Sequence, residues 1–146
     1  MLYQNLVFQI VNNNNNTIVK KIWGEEIWIV NQEYCGKLLL INKKKRCSFH
    51  YHKEKKESFL LISGAILLEM PHEKTLMEPG MIAHIPVGIK HRFTGIAYKS
   101  EIIEFSTHHK DEDSYREVNS GEVPQKEWEE ILQRYRHSLP CGNGDI

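Results

Sequence analysis

Ser48–Gly64 reads SFHYHKEKKESFLLISG. Apolar and polar residues alternate through its first part, the signature of a strand. Side chains at i and i+2 of a strand lie on one face, so His50 and His52 project together. Glu57 follows across the polar turn Lys53–Lys56, at the start of a second strand, Ser58–Ser63, expected to run back antiparallel. Gly64 allows a tight turn after it. Some thirty residues on, Gly80–His91 reads GMIAHIPVGIKH. Met81–Pro86 is an apolar strand, Pro86-Val-Gly88 is a turn signal, and His91 opens the next strand.

The pattern brings three imidazoles and one carboxylate, His50, His52, Glu57 and His91, toward one point. Such a nitrogen and oxygen set suits one divalent transition metal (Zn, Mn, Fe, Ni or Co) rather than Ca or Mg. It leaves one or two coordination positions open, as in a catalytic or ligand-binding centre and unlike a closed structural one.

These residues resemble the two cupin motifs. The first is His-x-His-x4-Glu-x6-Gly, here His50, His52, Glu57 and Gly64. The second is Gly-x5-Pro-x-Gly-x2-His-x3-Asn, here Gly80, Pro86, Gly88 and His91. Lys44 stands where a glycine usually precedes the first histidine, and Gly95 stands where the final asparagine is usual. Both are turn positions, not ligands. The resemblance implies an all-β jelly-roll (double-stranded β-helix) barrel. Independently, about ten short strands separated by Gly, Pro and Asn turns imply an antiparallel sandwich or barrel.

Bulk properties fit one domain of 146 residues. Lys plus Arg equals Asp plus Glu, at 19 each, so nothing electrostatic argues for nucleic acid or an anionic membrane as partner. No apolar run is long enough to span a bilayer and no signal peptide is recognisable. Cys35, Cys47 and Cys141 form no paired framework or Cys-x2-Cys site, so reduced thiols and a cytoplasmic protein are expected.

Residues 1–117 are expected to form the barrel with a leading strand, Leu2–Val11. Leading strands of this kind often pair subunits in small cupins, so a homodimer is expected. Residues 118–146 are expected to add a helix and tail to the same domain. Pro124 sits where a helix begins. Trp128, Ile131, Leu132 and Tyr135 then make one apolar stripe over about twelve residues, suited to packing on the barrel's outer face. His108–Gly121 reads as a polar loop. His108 and His109, being adjacent, would face opposite ways on a strand and are left out of the metal site.

Segments outside the motifs narrow the resemblance. Trp23-Gly-Glu-Glu26, Gly36-Lys37-Leu-Leu-Leu-Ile41, Cys47-Ser48-Phe49-His50, Ile85-Pro-x-Gly-x-x-His91-Arg92-Phe93 and Phe105-Ser-Thr107 with Asp113-x-x-Arg116 resemble the cupin domain of type II mannose-6-phosphate isomerases and related small sugar-isomerase-like cupins. The match covers roughly Lys20–Glu117. That family often has Gln at the position of His50, and its Asp-x-Tyr-Gly-Arg segment is replaced here by Glu117-Val-Asn-Ser-Gly121. The resemblance implies a metal-dependent sugar or sugar-phosphate isomerase or epimerase acting on a small carbohydrate. An aldose–ketose isomerase needs a Lewis acid at the carbonyl and a base near neutral pKa. Glu57, His84, Lys37 and Glu104 are the candidate bases, and Glu57 and Lys37 are the candidate catalytic residues. Lys37, His84 and Arg116 are candidate substrate-binding residues, Arg116 by its planar fork on an anionic group. Trp23 and Tyr51 read as barrel packing. Two other classes fit the motifs: a non-heme iron dioxygenase with a more apolar pocket, and a non-catalytic sugar-binding cupin.

Overall fold

Thirteen strands and one helix make up the described part of the chain, residues 16–139 of this computed structural model. The strands are β1 (Thr17–Lys21), β2 (Gly24–Asn31), β3 (Tyr34–Asn42), β4 (Lys45–Arg46), β5 (Phe49–Tyr51), β6 (Glu57–Ser63), β7 (Ile66–Met70), β8 (Glu73–Met77), β9 (Ile82–Ile85), β10 (Arg92–Gly95), β11 (Lys99–Thr107), β12 (Tyr115–Val118) and β13 (Gly121–Glu122). The helix is α1 (Gln125–Tyr135). The expected leading strand Leu2–Val11 and the tail Pro140–Ile146 lie outside the described residues.

All pairings between these strands are antiparallel. A six-stranded sheet runs β1-β2-β3-β11-β6-β9 and a five-stranded sheet runs β13-β4-β10-β7-β8. A two-stranded ribbon, β12-β5, completes the jelly roll. The strands on either side of the turn Lys53–Lys56 do not pair with each other, contrary to expectation. β5 pairs with β12, while β6 pairs with β11 and β9. At this turn the chain crosses from one layer to the other, which sets the first two histidines opposite Glu57 across the barrel interior.

Period-two alternation divides that interior into an apolar and a polar half. Leu39, Ile41, Leu61, Ile66, Leu68, Ile102 and their neighbours form the dry core between the sheets. Further along the same strands, the inward positions become Lys37 on β3, Glu57 on β6 and Glu104 on β11, all buried. The hydrophobic effect holds the apolar half together at about 25 cal/mol per Å². The polar half has to satisfy its charges internally, because a buried unpaired charge costs several kcal/mol.

β7 is buried on both faces. Ile66 and Leu68 face the barrel core, while Leu67 joins Ala65, Ile96 and Val123 beneath α1. Of the expected stripe, Trp128 and Ile131 are buried against this patch and Leu132 and Tyr135 pack at its edge. The helix starts after Pro124, whose carbonyl accepts from the Trp128 N–H at 2.9 Å. The segment expected as a polar loop, His108–Gly121, is more ordered than its composition suggests: it holds a 3-10 turn at Asp111–Asp113 and β12. Among the described residues, no helix is long and apolar enough to cross a membrane.

The two departures from the cupin pattern have structural counterparts. Lys44 takes a positive φ of 62°, the left-handed region that favours glycine. Gly95 lies so close to β3 that a Cβ there would sit 2.3 Å from the Asn42 carbonyl oxygen. An asparagine cannot occupy that position in this chain without moving the backbone.

Candidate metal centre

His50 lies on β5 and His52 just beyond it, on the same face, with ring centroids 4.9 Å apart. His91 immediately precedes β10. Its backbone exchanges two hydrogen bonds with His50, His50 N–H to His91 O at 3.1 Å and His91 N–H to His50 O at 2.8 Å. Cross-strand neighbours of this kind bring their side chains together, and the rings stand 4.6 Å apart. The Gly88 N–H donates to the His52 carbonyl at 2.7 Å, tying the second motif's turn to the first. Glu57 enters from β6. One ligand atom from each of His50, His52, Glu57 and His91 lies within 4.8 Å of every other.

The outward nitrogen of each histidine fixes its tautomer. Nδ1 of His50 is 2.8 Å from Ser48 O, that of His52 is 2.8 Å from Asp113 O, and that of His91 is 2.9 Å from Ile89 O. A carbonyl only accepts, so each Nδ1 carries the proton and each Nε2 presents a lone pair. Such backing is the usual arrangement behind metal-ligating histidines. His91 Nε2 is 2.7 Å and His52 Nε2 is 3.4 Å from Glu57 Oε1. These three buried atoms have no hydrogen-bond partner. Two acceptors at such a distance need either a proton or a metal ion to hold them together. The donor set therefore fits a transition-metal ion and is able to hold one. Burial, with His91 next in weight, pushes the His50 imidazolium down to about 3, so its ring is neutral at physiological pH.

Two residues outside the ligand set support this cluster, Lys55 and Asp113. Lys55 is buried, although its turn reads as solvated. Its Nζ lies 2.6 Å from Glu57 Oε2 and 2.9 Å from Glu104 Oε1. Burial works against the ammonium, but Glu104 and Glu57 outweigh it and raise its pKa. Lys55 thus occupies one Glu57 oxygen and leaves the other for the ion. Asp113 accepts from the backbone N–H groups of Lys53, Glu54 and Lys55 at 2.8, 3.1 and 3.0 Å. Burial opposes its ionisation, and these three donors hold its pKa below the usual carboxylate value. With its carbonyl on His52, Asp113 fastens both the turn and a candidate ligand.

Beside the cluster lies a polar cavity of about 90 Å³. Lys37 lines it and is buried, with 1% of its surface exposed, so it points inward. Its ammonium sits 3.3 Å from Glu26 Oε2 and 4.4 Å from the centre of the Trp28 ring. Arg116, opposite His50 in the β5–β12 ribbon, lines the same cavity, as do Glu104 and Trp23. Trp23 packs edge-on against Phe93 and Tyr51 stacks on Tyr115, in line with packing roles.

His84 is not brought to this cavity. Ile85 is its buried neighbour on β9, so alternation turns His84 outward, where its Nδ1 meets Ser58 Oγ at 2.7 Å. There it lines a separate surface groove with Tyr34 and Phe105. His108 and His109 do diverge: His108 bonds to Gln32 O on the surface, while His109 lines the cavity.

No curated protein matches the sequence. The family model described as the cupin domain matches residues 38–101, the span that carries both histidine motifs. KdgF from Halomonas sp. superposes with a TM-score of 0.57 at 16% identity, covering 60% of this chain and 81% of its own. A cupin-2 domain containing protein from Shewanella frigidimarina gives 0.52 at 18% identity, covering 62% and 85%. Streptomyces PAC13, a nucleoside dehydratase solved with uridine, gives 0.67 at 9% identity, covering 84% and 98%. At these identities the likeness speaks to fold alone. Residues 38–101 thus match the cupin-domain model, and they lie within a jelly-roll barrel that bears one helix on its outer face.

Proposed function

We propose that the protein is a metal-dependent isomerase or epimerase of a small sugar or sugar phosphate. One observation carries this reading: three imidazole lone pairs and a carboxylate oxygen converge without a donor among them, beside a cavity lined by Lys37 and Arg116. His50, His52, Glu57 and His91 would hold the ion, with open positions left for substrate oxygens. When bound, the ion supplies Lewis-acid stabilisation of the negative charge that develops on a carbonyl oxygen. Lys37 would donate to a substrate hydroxyl or carbonyl from the cavity wall. Arg116 would take an anionic group by its planar fork. Both Glu57 oxygens are engaged, one by Lys55 and one toward the histidines, so Glu57 acts as a ligand and not as the base. The cavity is too small for a whole sugar phosphate, which would set its reacting carbons inside and the remainder toward solvent.

The resemblance to the cupin domain of type II mannose-6-phosphate isomerases supports the same substrate class. An iron dioxygenase is the second reading, favoured by the three-histidine, one-carboxylate set. The polar lining of the cavity weighs against it. The test is to load the protein separately with zinc, manganese and iron(II) and offer mannose 6-phosphate and free mannose in D2O. Deuterium appearing at carbon 1 of the ketose formed supports the isomerase. Iron-dependent oxygen consumption without exchange supports the dioxygenase, and sugar binding without either makes it a binding module.

A further inference from the structure

Of the cavity's side chains, His109 has a geometry that neither the ligand cluster nor the lysine pairs explain. It follows β11 and lines the cavity, with a side chain 10% exposed. Its main chain is clamped on both sides by one residue. Asn31 Oδ1 accepts the His109 N–H at 2.8 Å, and Asn31 Nδ2 donates to the His109 carbonyl at 3.0 Å. The ring stands edge-on to Trp28 with centroids 5.1 Å apart, which fixes its plane.

The two ring nitrogens differ. Nε2 is 3.0 Å from Asp111 Oδ1. A carboxylate accepts, so Nε2 carries the proton and Nδ1 is left with a lone pair. Nδ1 is buried and has no partner. An orphaned buried acceptor costs free energy that a structural histidine would avoid. A base held in one tautomer by a carboxylate behind it, with its other nitrogen unpartnered in a side chain that lines a cavity, is an arrangement suited to general-base catalysis. Burial, then the charge of Lys37, lowers the pKa of His109, and Asp111 only partly offsets this. The ring is therefore neutral at physiological pH and able to accept a proton.

We infer that His109 is the general base of this cavity, with Asp111 and Asn31 as its positioning residues. The inference rests on the isomerase reading above. The proton on the carbon next to the substrate carbonyl passes to His109 Nδ1. The C–H electron pair becomes the C=C bond of the enediolate, and the carbonyl π pair moves to its oxygen. The imidazolium so formed is stabilised through Nε2–H by the Asp111 carboxylate. Return of the proton from Nδ1 to the neighbouring carbon, with proton movement between the two oxygens, gives the isomer. Proton transfer by a positioned side chain contributes roughly 10²–10⁴-fold in rate.

Two measurements test it. The first needs no substrate: ¹⁵N-histidine NMR of the zinc-loaded protein at neutral pH. Protonated Nε2 and bare Nδ1 at His109 are expected; protonated Nδ1 or an imidazolium overturns the assignment. The second is the D2O exchange assay with mannose 6-phosphate on wild type and His109→Gln. The expected result is a loss of roughly 10²-fold or more in kcat, with KM within a few-fold and full metal content. Exchange that is present in wild type and undiminished in His109→Gln sinks the role of His109 and leaves the isomerase reading standing. Exchange absent from wild type sinks the isomerase reading and, with it, the role of His109.

Discussion

Replacing Asp113 by asparagine tests how the barrel holds its histidines. Asp113 is 5% exposed, and its two oxygens receive the backbone N–H groups of Lys53, Glu54 and Lys55. Asparagine keeps the shape but loses the charge and turns one acceptor into a donor. Whichever way the amide is set, at least one backbone N–H then faces an NH2 group. Hydrogen bonds to charged groups contribute about 1.5–3 kcal/mol each, against about 1 for neutral ones. Weakening two and losing a third amounts to about 2–4 kcal/mol, since the N–H groups of the exposed Lys53 and Glu54 can rehydrate while that of Lys55 is buried. For a chain of this size that is a fall in Tm of roughly 8–15 °C. The folded pKa of Asp113 is lowered, so its contribution is present above the ordinary carboxylate pKa and lost as pH falls through the folded value. The deficit should therefore be full at pH 7 and narrow below about pH 4. His52 is oriented by the main-chain carbonyl of Asp113, which asparagine keeps, so loosening of the turn should lower zinc affinity by less than the roughly 10–100-fold that follows outright loss of such a partner. Thermal melts at both pH values and a zinc titration measure this. A loss under about 1 kcal/mol at pH 7 with unchanged zinc affinity would refute the reasoning.

Two further substitutions probe the departures from local expectation. Lys44→Gly should stabilise the fold by about 1 kcal/mol, because glycine carries no steric penalty at a φ of 62° and the Lys44 side chain gives up only partly exposed contacts to Glu122 and Gln125; denaturant unfolding reads it. Lys55→Met should destabilise by about 3–5 kcal/mol, since it strands Glu57 and Glu104 as buried carboxylates, and added zinc should recover part of the loss by neutralising Glu57.

Features carried by local spacing were legible in the sequence. His50 and His52 follow strand alternation, the Pro86-Val-Gly88 turn aims His91, and the i, i+3, i+4, i+7 stripe marks α1. The alternation of Cys35, Leu39 and Ile41 around it turns Lys37 inward. What escaped depends on partners distant in sequence. Lys55 looks like a solvated turn residue until Glu104, 49 positions on, is placed beside it. Asp113 reaches His52 across 61 positions. His109 follows a strand whose end no periodicity marks, and its free nitrogen is visible only once Asp111 and Asn31 fix the ring. An apolar strand does not by itself say which of its faces is inward; on β9 it is Ile85, not His84, that is buried.

The most direct test of the central claim is elemental analysis of the protein purified without added metal or chelator, with His91→Ala beside it. The account predicts about one transition-metal ion per chain in the wild type and its loss in the variant, in which one of four ligands is gone and Glu57 Oε1 has lost its nearest imidazole. Full metal content in His91→Ala, or no metal in the wild type even after reconstitution with zinc, manganese and iron(II), would contradict it.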